Sequence, residues 1–429
     1  MKKWLGIISL IFFFFILIIS APALAQKAPA KKPAAKTLGV EVIKFGGMGI
    51  LSGPLSICGR MIMMGAQLAI EEINAKGGIL GSKCELKFMD DELKPAVGVK
   101  NVRYLVNEWG ANFIFGVDSS GVAMAIGEIM PEMDRIYIST HAATDRLTEE
   151  LVWKKGIKHI FRTTVPTYQE GLLPALIFKD FMHIKRWAGI NCDYEYGYVS
   201  WSLFKETLKK YRPDVEFVAS TWAPFWTMDF TPHISAALAA NPDAIFSTPW
   251  GGEGVQLIRQ AMIMGAFDKI QLWWHPTGAT TDFMEAVTSE VRADKFKGKL
   301  WVSGRYIHNW LETPENKGFV ERFVKRWAIY PFHPGQGAYD AVYFVKAALE
   351  KTRSLKTADV IKALEGMERM TPAGPKYIRP EDHQAIYPTP AGRPIHDPAY
   401  PIAVVGDFRM IPAKDYFRHP PFEPIKISK

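Results

Sequence analysis

From residue 40 onward, short runs of β-branched and aromatic residues alternate with stretches whose apolar positions recur every three or four residues. The first pattern predicts strands and the second amphipathic helices. Val40 to Phe45 reads as an opening strand, followed by a glycine-rich loop from Gly46 to Pro54. A helix is predicted around Met61 to Asn74, because Ile62, Ala66, Ala69, Ile70 and Ile73 share one stripe, and Gly77-Gly78 ends it. Strands near Cys84 to Met89, Asn112 to Val117 and Arg135 to Ser139 alternate with helices near Pro95 to Val106 and Gly121 to Met130. Strands spaced by roughly 25 to 45 residues and joined by helices are βαβ units of a mostly parallel sheet.

A second series begins after Arg162. Its strands are predicted near Trp187 to Ile190, Val215 to Val218, Ala244 to Thr248 and Ile270 to Trp274, with helices at Ser200 to Tyr211 and Gly254 to Met264. Two such series predict an α/β fold of two lobes with a ligand cleft between the facing carboxyl ends of their strands. Beyond Thr288 the pattern loosens. Helices are predicted at Gly318 to Trp327, Gly337 to Leu349 and Ala358 to Glu368, and a strand at Ile402 to Val405. The pattern alone assigns these pieces to neither lobe.

The first residues differ from the rest. Lys2 and Lys3 precede an uncharged apolar run from Trp4 to Ile19, and Ala23-Leu24-Ala25 follows with small residues. Residues 1–25 therefore read as a secretory signal peptide cut near Ala25, with an uncut anchor as the alternative. Residues 26–37, rich in Ala, Pro and Lys, read as a flexible leader. Export implies a periplasmic location. No cysteine follows the expected cut, so a lipid anchor has no support.

Of the 429 residues, 48% are hydrophobic and 22% charged, which is the balance of a folded globular chain. The net charge of +8 is spread along the sequence without a basic stripe, and no nucleic-acid partner is expected. Three cysteines, Cys58, Cys84 and Cys192, cannot all pair within one chain and read most simply as small buried hydrophobes. No H-E-x-x-H, G-x-S-x-G, C-x-x-C, dinucleotide or Walker pattern occurs. The ten histidines form no cluster in the sequence. Neither an enzyme, a cofactor nor a metal is expected.

Candidate binding residues sit where strands hand over to helices. Ser119 and Ser120 lie at such a junction, where hydroxyls and helix N-terminal N–H groups receive a carboxylate or carbonyl oxygen; their alternative role is capping. His141, Ala142 and Thr144 follow another strand end and offer backbone N–H groups, an imidazole and a hydroxyl, with a local turn hydrogen bond as the alternative for His141. Asp118 either pairs with a cationic group or forms the turn. Trp250 either covers a pocket with a rigid aromatic face or packs in the core.

Several segments together resemble a known family. They are Met48-Gly49-Ile50-Leu51-Ser52-Gly53-Pro54, Gly65-Ala66, Ile73 to Gly81 and Asp90-Asp91, then Phe115 to Gly121, Tyr137 to Thr140, Asp193 to Gly197, Gln260-Ala261 and Asp382-His383-Gln384. In this order, over about residues 38 to 410, the chain resembles the branched-chain amino-acid-type periplasmic substrate-binding proteins of ABC transporters. The resemblance implies a type I periplasmic binding protein fold, two Rossmann-like lobes joined by three crossovers. Lobe one would be 38–160 plus 290–372, lobe two 161–289 plus 373–410, and 411–429 a C-terminal tail. It implies capture of a small polar solute, such as an amino acid, amide or aromatic acid, by a monomer that docks on a membrane permease. A ligand-sensing domain partnering a membrane receptor is the alternative.

Carried over residue by residue, the family's serine falls on Ser120, with Ser119 adjacent. Its carboxylate-binding threonine falls on Ala143, with Thr144 next to it, and its first-helix aromatic falls near Cys58. Its lobe-two aromatic falls on or near Trp250, its ammonium-pairing glutamate near Thr277, and Tyr196 ends a loop facing the cleft. The departures at Ala143 and Thr277 remove two groups that grip an amino acid, which points away from leucine, isoleucine and valine.

Overall fold

The computed structural model describes residues 38–428, all within one compact unit. The expected signal peptide and leader lie outside the described residues. Five parallel strands, β1 (Val42–Gly49), β2 (Lys83–Asp90), β3 (Phe113–Gly116), β4 (Ile136–Ser139) and β5 (Ile160–Arg162), form the first sheet in the order β2-β1-β3-β4-β5. Five more, β6 (Arg186–Cys192), β7 (Glu216–Ala223), β8 (Ala244–Ser247), β9 (Leu272–His275) and β10 (Leu300–Ser303), repeat that order in the second sheet. A small antiparallel sheet holds β11 (Glu368–Thr371), β12 (Gly374–Ile378) and β13 (Ala385–Ile386). The strands β14 (Pro390–Ile395) and β15 (Val404–Met410) then extend the second sheet antiparallel to β10.

Every residue of β3, β4, β8 and β9 is buried, as expected of parallel strands covered by helices on both faces. The first sheet's cores gather Phe45, Phe113 and Ile138 on one face and Ile114, Tyr137 and Ile160 on the other. The helices Ser56–Ala75 and His333–Thr352 press together on the first of these faces. A Cβ on Gly65 would sit 1.9 Å from the Gly335 carbonyl oxygen, so this approach needs glycine.

Two sequence expectations change. The glycines 46, 47 and 49 are part of β1 and not of a loop after it. A Cβ at Gly47 would fall 2.5 Å from the Phe88 ring, so the glycine gives room to β2's aromatic. The lobe boundaries also move. Leu300–Ser303, expected in lobe one, is β10 of the second sheet, where Leu300 and Val302 join the lobe-two core. Residues 374–386, expected in lobe two, stay with lobe one because Ile378 and Ala385 pack in its core. The chain thus passes between sheets after Arg162, after Ser303 and after Ile386. The C-terminal residues lie against both lobes: Tyr416 and Phe417 pack with Tyr168, Val199 and Leu203, and Arg418 pairs with Glu149. Among the described residues no helix is long and apolar enough to cross a membrane.

Candidate functional site

In both sheets the strand order reverses beside the first strand of the series, and the loops at those carboxyl ends face each other across one cleft. Lobe one supplies Asp118, Ser119 and Ser120 after β3, His141 after β4, Cys58 from the first turn of helix Ser56–Ala75, and His333, the first residue of helix His333–Thr352. Lobe two supplies Tyr194 and Tyr196 after β6, Phe225 after β7, Trp250 after β8, and Thr277 and Asp282 after β9. Arg305 enters from the second crossover. The space enclosed, counted out to the open mouth, is about 600 Å³.

Asp118, Ser119, Ser120, His141, Tyr196, Trp250 and Thr277 line one void. Ala142 and Thr144 do not. Ala142 donates its N–H to the Val117 carbonyl at 2.9 Å and accepts from Ser139 Oγ at 3.0 Å, which turns it into lobe one. The Thr144 hydroxyl donates to the Glu195 carboxylate and its carbonyl accepts from Arg162 Nη1 at 2.6 Å, so its polar atoms are engaged outside the cleft. Ala143, between them, reaches the void instead.

Asp118 is held from two sides. Its Oδ2 accepts the Ile50 N–H at 2.7 Å, and its Oδ1 lies 2.6 Å from His141 Nδ1, which donates to it. A Cβ on Gly49 would come within 2.8 Å of Asp118 Oδ2, so the glycine leaves room for the carboxylate. Burial holds His141 below the usual imidazole range, and the Asp118 charge works against that. Arg305 donates from Nε to Glu170 at 3.0 Å and from Nη1 to the His141 carbonyl at 2.6 Å. Burial raises the Glu170 carboxyl, offset by Arg305.

Other polar groups in the cleft lack partners. Both ring nitrogens of His333, the Tyr196 and Thr277 hydroxyls and Asp282 Oδ1 are buried without a hydrogen bond of good geometry. Burial drives His333 well below its usual range, helped by His141 and Arg305. Burial likewise raises the Asp282 carboxyl and the Cys58 thiol, the thiol also through the charges of Asp118 and Asp282. The same cleft holds an aromatic cluster. Trp250 Nε1 donates to Tyr194 Oη at 2.7 Å, and Tyr194 stacks on Phe225 with ring centroids 4.4 Å apart. Trp250 also packs against the lobe-one core, so the lobes touch.

Two β-branched residues adopt the left-handed backbone region, Val117 at φ 74°, just before Asp118, and Thr277 at φ 60°, in the lining itself. Each costs on the order of 1–3 kcal/mol, and such strain concentrates at functional sites. Sequence reasoning did not place Tyr194, Phe225, Asp282, Arg305 or His333 in the site. The signal for His333 was Pro334, which marks a helix start four residues before the predicted Gly337. Tyr194 lay inside the resembling segment Asp193 to Gly197. Arg305 follows a four-residue strand that the pattern did not reveal.

The periplasmic binding protein family matches residues 42–394. The Leu/Ile/Val-binding protein BraC3 of Rhizobium johnstonii is 34% identical over 324 residues, 74% of this chain and 82% of that protein. Among solved structures, an ABC-transporter solute-binding protein of Rhodopseudomonas palustris in complex with p-hydroxybenzoic acid superposes with a TM-score of 0.74 at 20% identity, covering 86% of this chain and 97% of the other. A branched-chain amino acid transporter substrate-binding protein of Streptococcus pneumoniae in complex with isoleucine gives 0.72 at 21%, covering 85% and 99%. The chain thus belongs to the periplasmic binding protein family, as a solute-binding protein of the Leu/Ile/Val-binding type: the non-catalytic, extracytoplasmic partner of an ABC permease, which captures a small polar solute by lobe closure.

Proposed function

We propose that the solute is a small carboxylic acid with a flat apolar body, of the benzoate class. The observation that carries this reading is the aromatic cluster of Tyr194, Phe225 and Trp250 lining the same cleft as unpartnered polar atoms from both lobes. An aromatic ring stacked on that cluster gains contact area at little cost in side-chain entropy. Its carboxylate meets Ser119 and Ser120 at the N-terminus of helix Ser120–Met133, where exposed N–H groups favour an anion. Ser119 caps that helix only through a long 3.5 Å bond from the Val122 N–H, and its hydroxyl stays able to donate. A ring hydroxyl would meet Tyr196 or Thr277. Rhodopseudomonas palustris proteins of this fold are described in complex with benzoate and with 4-hydroxybenzoate. Cleavage near Ala25 and action as a monomer belong to the same proposal.

A branched-chain amino acid is the second reading, favoured by Asp282 Oδ1, a buried unpartnered oxygen suited to an ammonium, and by the name of the BraC3 relative. Calorimetry on protein starting at Gln26 decides between them, using benzoate, 4-hydroxybenzoate, leucine, isoleucine, valine, short amides and urea. Saturable heat from the aromatic acids, retained in Asp282→Asn, supports the first. Binding of leucine alone, abolished by Asp282→Asn, overturns it in favour of the second.

A further inference from the structure

We propose that the floor of the cleft binds one divalent transition-metal cation of the zinc class, held by Cys58, Asp118 and His141 with His333 beside them. The donor atoms of the first three lie within 4.8 Å of one another, and all three side chains are buried. They come from three separate parts of lobe one: a helix first turn and the loops after β3 and β4. A thiolate, a carboxylate and an imidazole make a donor set for borderline cations, unlike the all-oxygen shells of magnesium and calcium. Asp118 is already oriented by the Ile50 N–H, and its Oδ1 lies 2.6 Å from His141 Nδ1, which holds these two donors side by side.

His333 is the independent observation. It is 3% exposed, lines the same void, and neither of its ring nitrogens has a hydrogen-bond partner. Its ring centroid lies 5.0 Å from that of His141. Buried polar groups in native proteins are almost always satisfied, so an imidazole left bare on both sides calls for a partner. A cation beside Cys58 and His141 supplies one, and it leaves a coordination position open toward the void. That position takes one oxygen of the solute's carboxylate, whose other oxygen meets Ser119 and Ser120, a role that rests on the reading under Proposed function. On binding, the Cys58 S–H bond breaks, the sulfur–metal bond forms and the proton leaves to solvent.

The test uses the full chain, stripped with a chelator and titrated with Zn²⁺ alone against a chromophoric competitor, then with Co²⁺. The expected result is one equivalent per chain, release of one proton in weak buffer, and a thiolate-to-cobalt absorption band. Cys58→Ser abolishes the band, and both Cys58→Ser and His333→Ala weaken Zn²⁺ binding at least tenfold, with far-UV circular dichroism confirming the fold of each. Because these residues lie on different helices, failure of one variant to fold leaves the other to decide. No retention against the competitor, or one-equivalent binding that survives both substitutions, overturns the site. Benzoate-class binding that is equal in stripped and Zn²⁺-loaded protein removes the cation's role in capture while the solute reading stands. Tight Zn²⁺ binding with no carboxylate bound in either form sinks the solute reading and leaves the cation site in place.

Discussion

Two buried polar regions lie within this protein, and they are built in opposite ways. Beneath the crossovers, Lys376 Nζ is fully buried and meets Asp340 Oδ2 at 2.8 Å, the Thr163 carbonyl at 2.9 Å and Gln336 Oε1 at 3.3 Å, with the Tyr387 ring 3.9 Å away. Arg162 is equally saturated by the Ala143 and Thr144 carbonyls, Thr148 and Gln384. In the cleft, by contrast, His333, Tyr196, Thr277 and Asp282 gather unpartnered atoms from several elements around one void. Unpartnered buried atoms occur elsewhere too, among them Thr164, Thr167, Gln169, Trp187 and Trp274, but none of these lines that void. Buried cations whose donors are answered hold the crossovers, whereas polar atoms left open around a shared void are placed to meet a solute.

Breaking the saturated region has the largest expected effect. Lys376→Met leaves Asp340 buried without its cation and costs about 3–5 kcal/mol of stability. Adding Asp340→Leu removes the stranded charge and recovers most of that loss. Urea unfolding of the single and double variants measures both, and solute affinity of the folded fraction stays within about twofold. If the single variant is as stable as the parent, the crossover network does not hold the lobes as described here.

Acid sharpens the comparison next. Burial lowers His275 to about 3 and His308 to about 4, so both are neutral in the fold. The unfolded chain takes up these protons as pH falls below about 6.5, and the native protein does not. Their stabilising contribution is therefore complete above that pH and is lost as pH falls toward the folded values. At pH 5 the loss is roughly 2 kcal/mol for each histidine. Buried acids act the other way, Glu253 among them, which burial pushes up to about 7. The histidine term is thus read as a difference: His275→Gln should lose roughly 2 kcal/mol less than the parent between pH 7 and pH 5. Equal losses would show that His275 takes up its proton while folded.

Much of the fold was legible because its strands are buried on both faces and its helices carry long stripes. Phe113–Gly116 and Leu272–His275 lie within two residues of the predicted ends. What escaped was short or non-local. The strands Ile160–Arg162 and Leu300–Ser303 are too brief to show a period, and they set the crossovers. In the site, residues at strand ends such as Ser120, His141 and Trp250 were readable, because a strand-to-helix junction is a local pattern. Cys58 beside Asp118, and His141 beside His333, are products of packing between distant segments. Thr144 misled because its neighbour Ala143 faces the cleft, and one position along a tight loop reverses the direction of a side chain.

The smallest expected stability effect tests the cleft itself. The Tyr196 hydroxyl is buried with only the Thr277 hydroxyl near it and no bond of good geometry, so the folded protein bears its desolvation for little bonding in return. Tyr196→Phe keeps the ring beside Tyr194 and deletes only the oxygen. Stability should stay level or rise by up to about 1 kcal/mol, the opposite of what removing a satisfied hydroxyl does. Affinity for a hydroxybenzoate should fall about tenfold, equivalent to about 1.4 kcal/mol, while benzoate loses little. Paired thermal melts and calorimetry give both numbers on one sample. A destabilised variant with unchanged affinity for both acids would move Tyr196 from the solute's side of the comparison to the scaffold's.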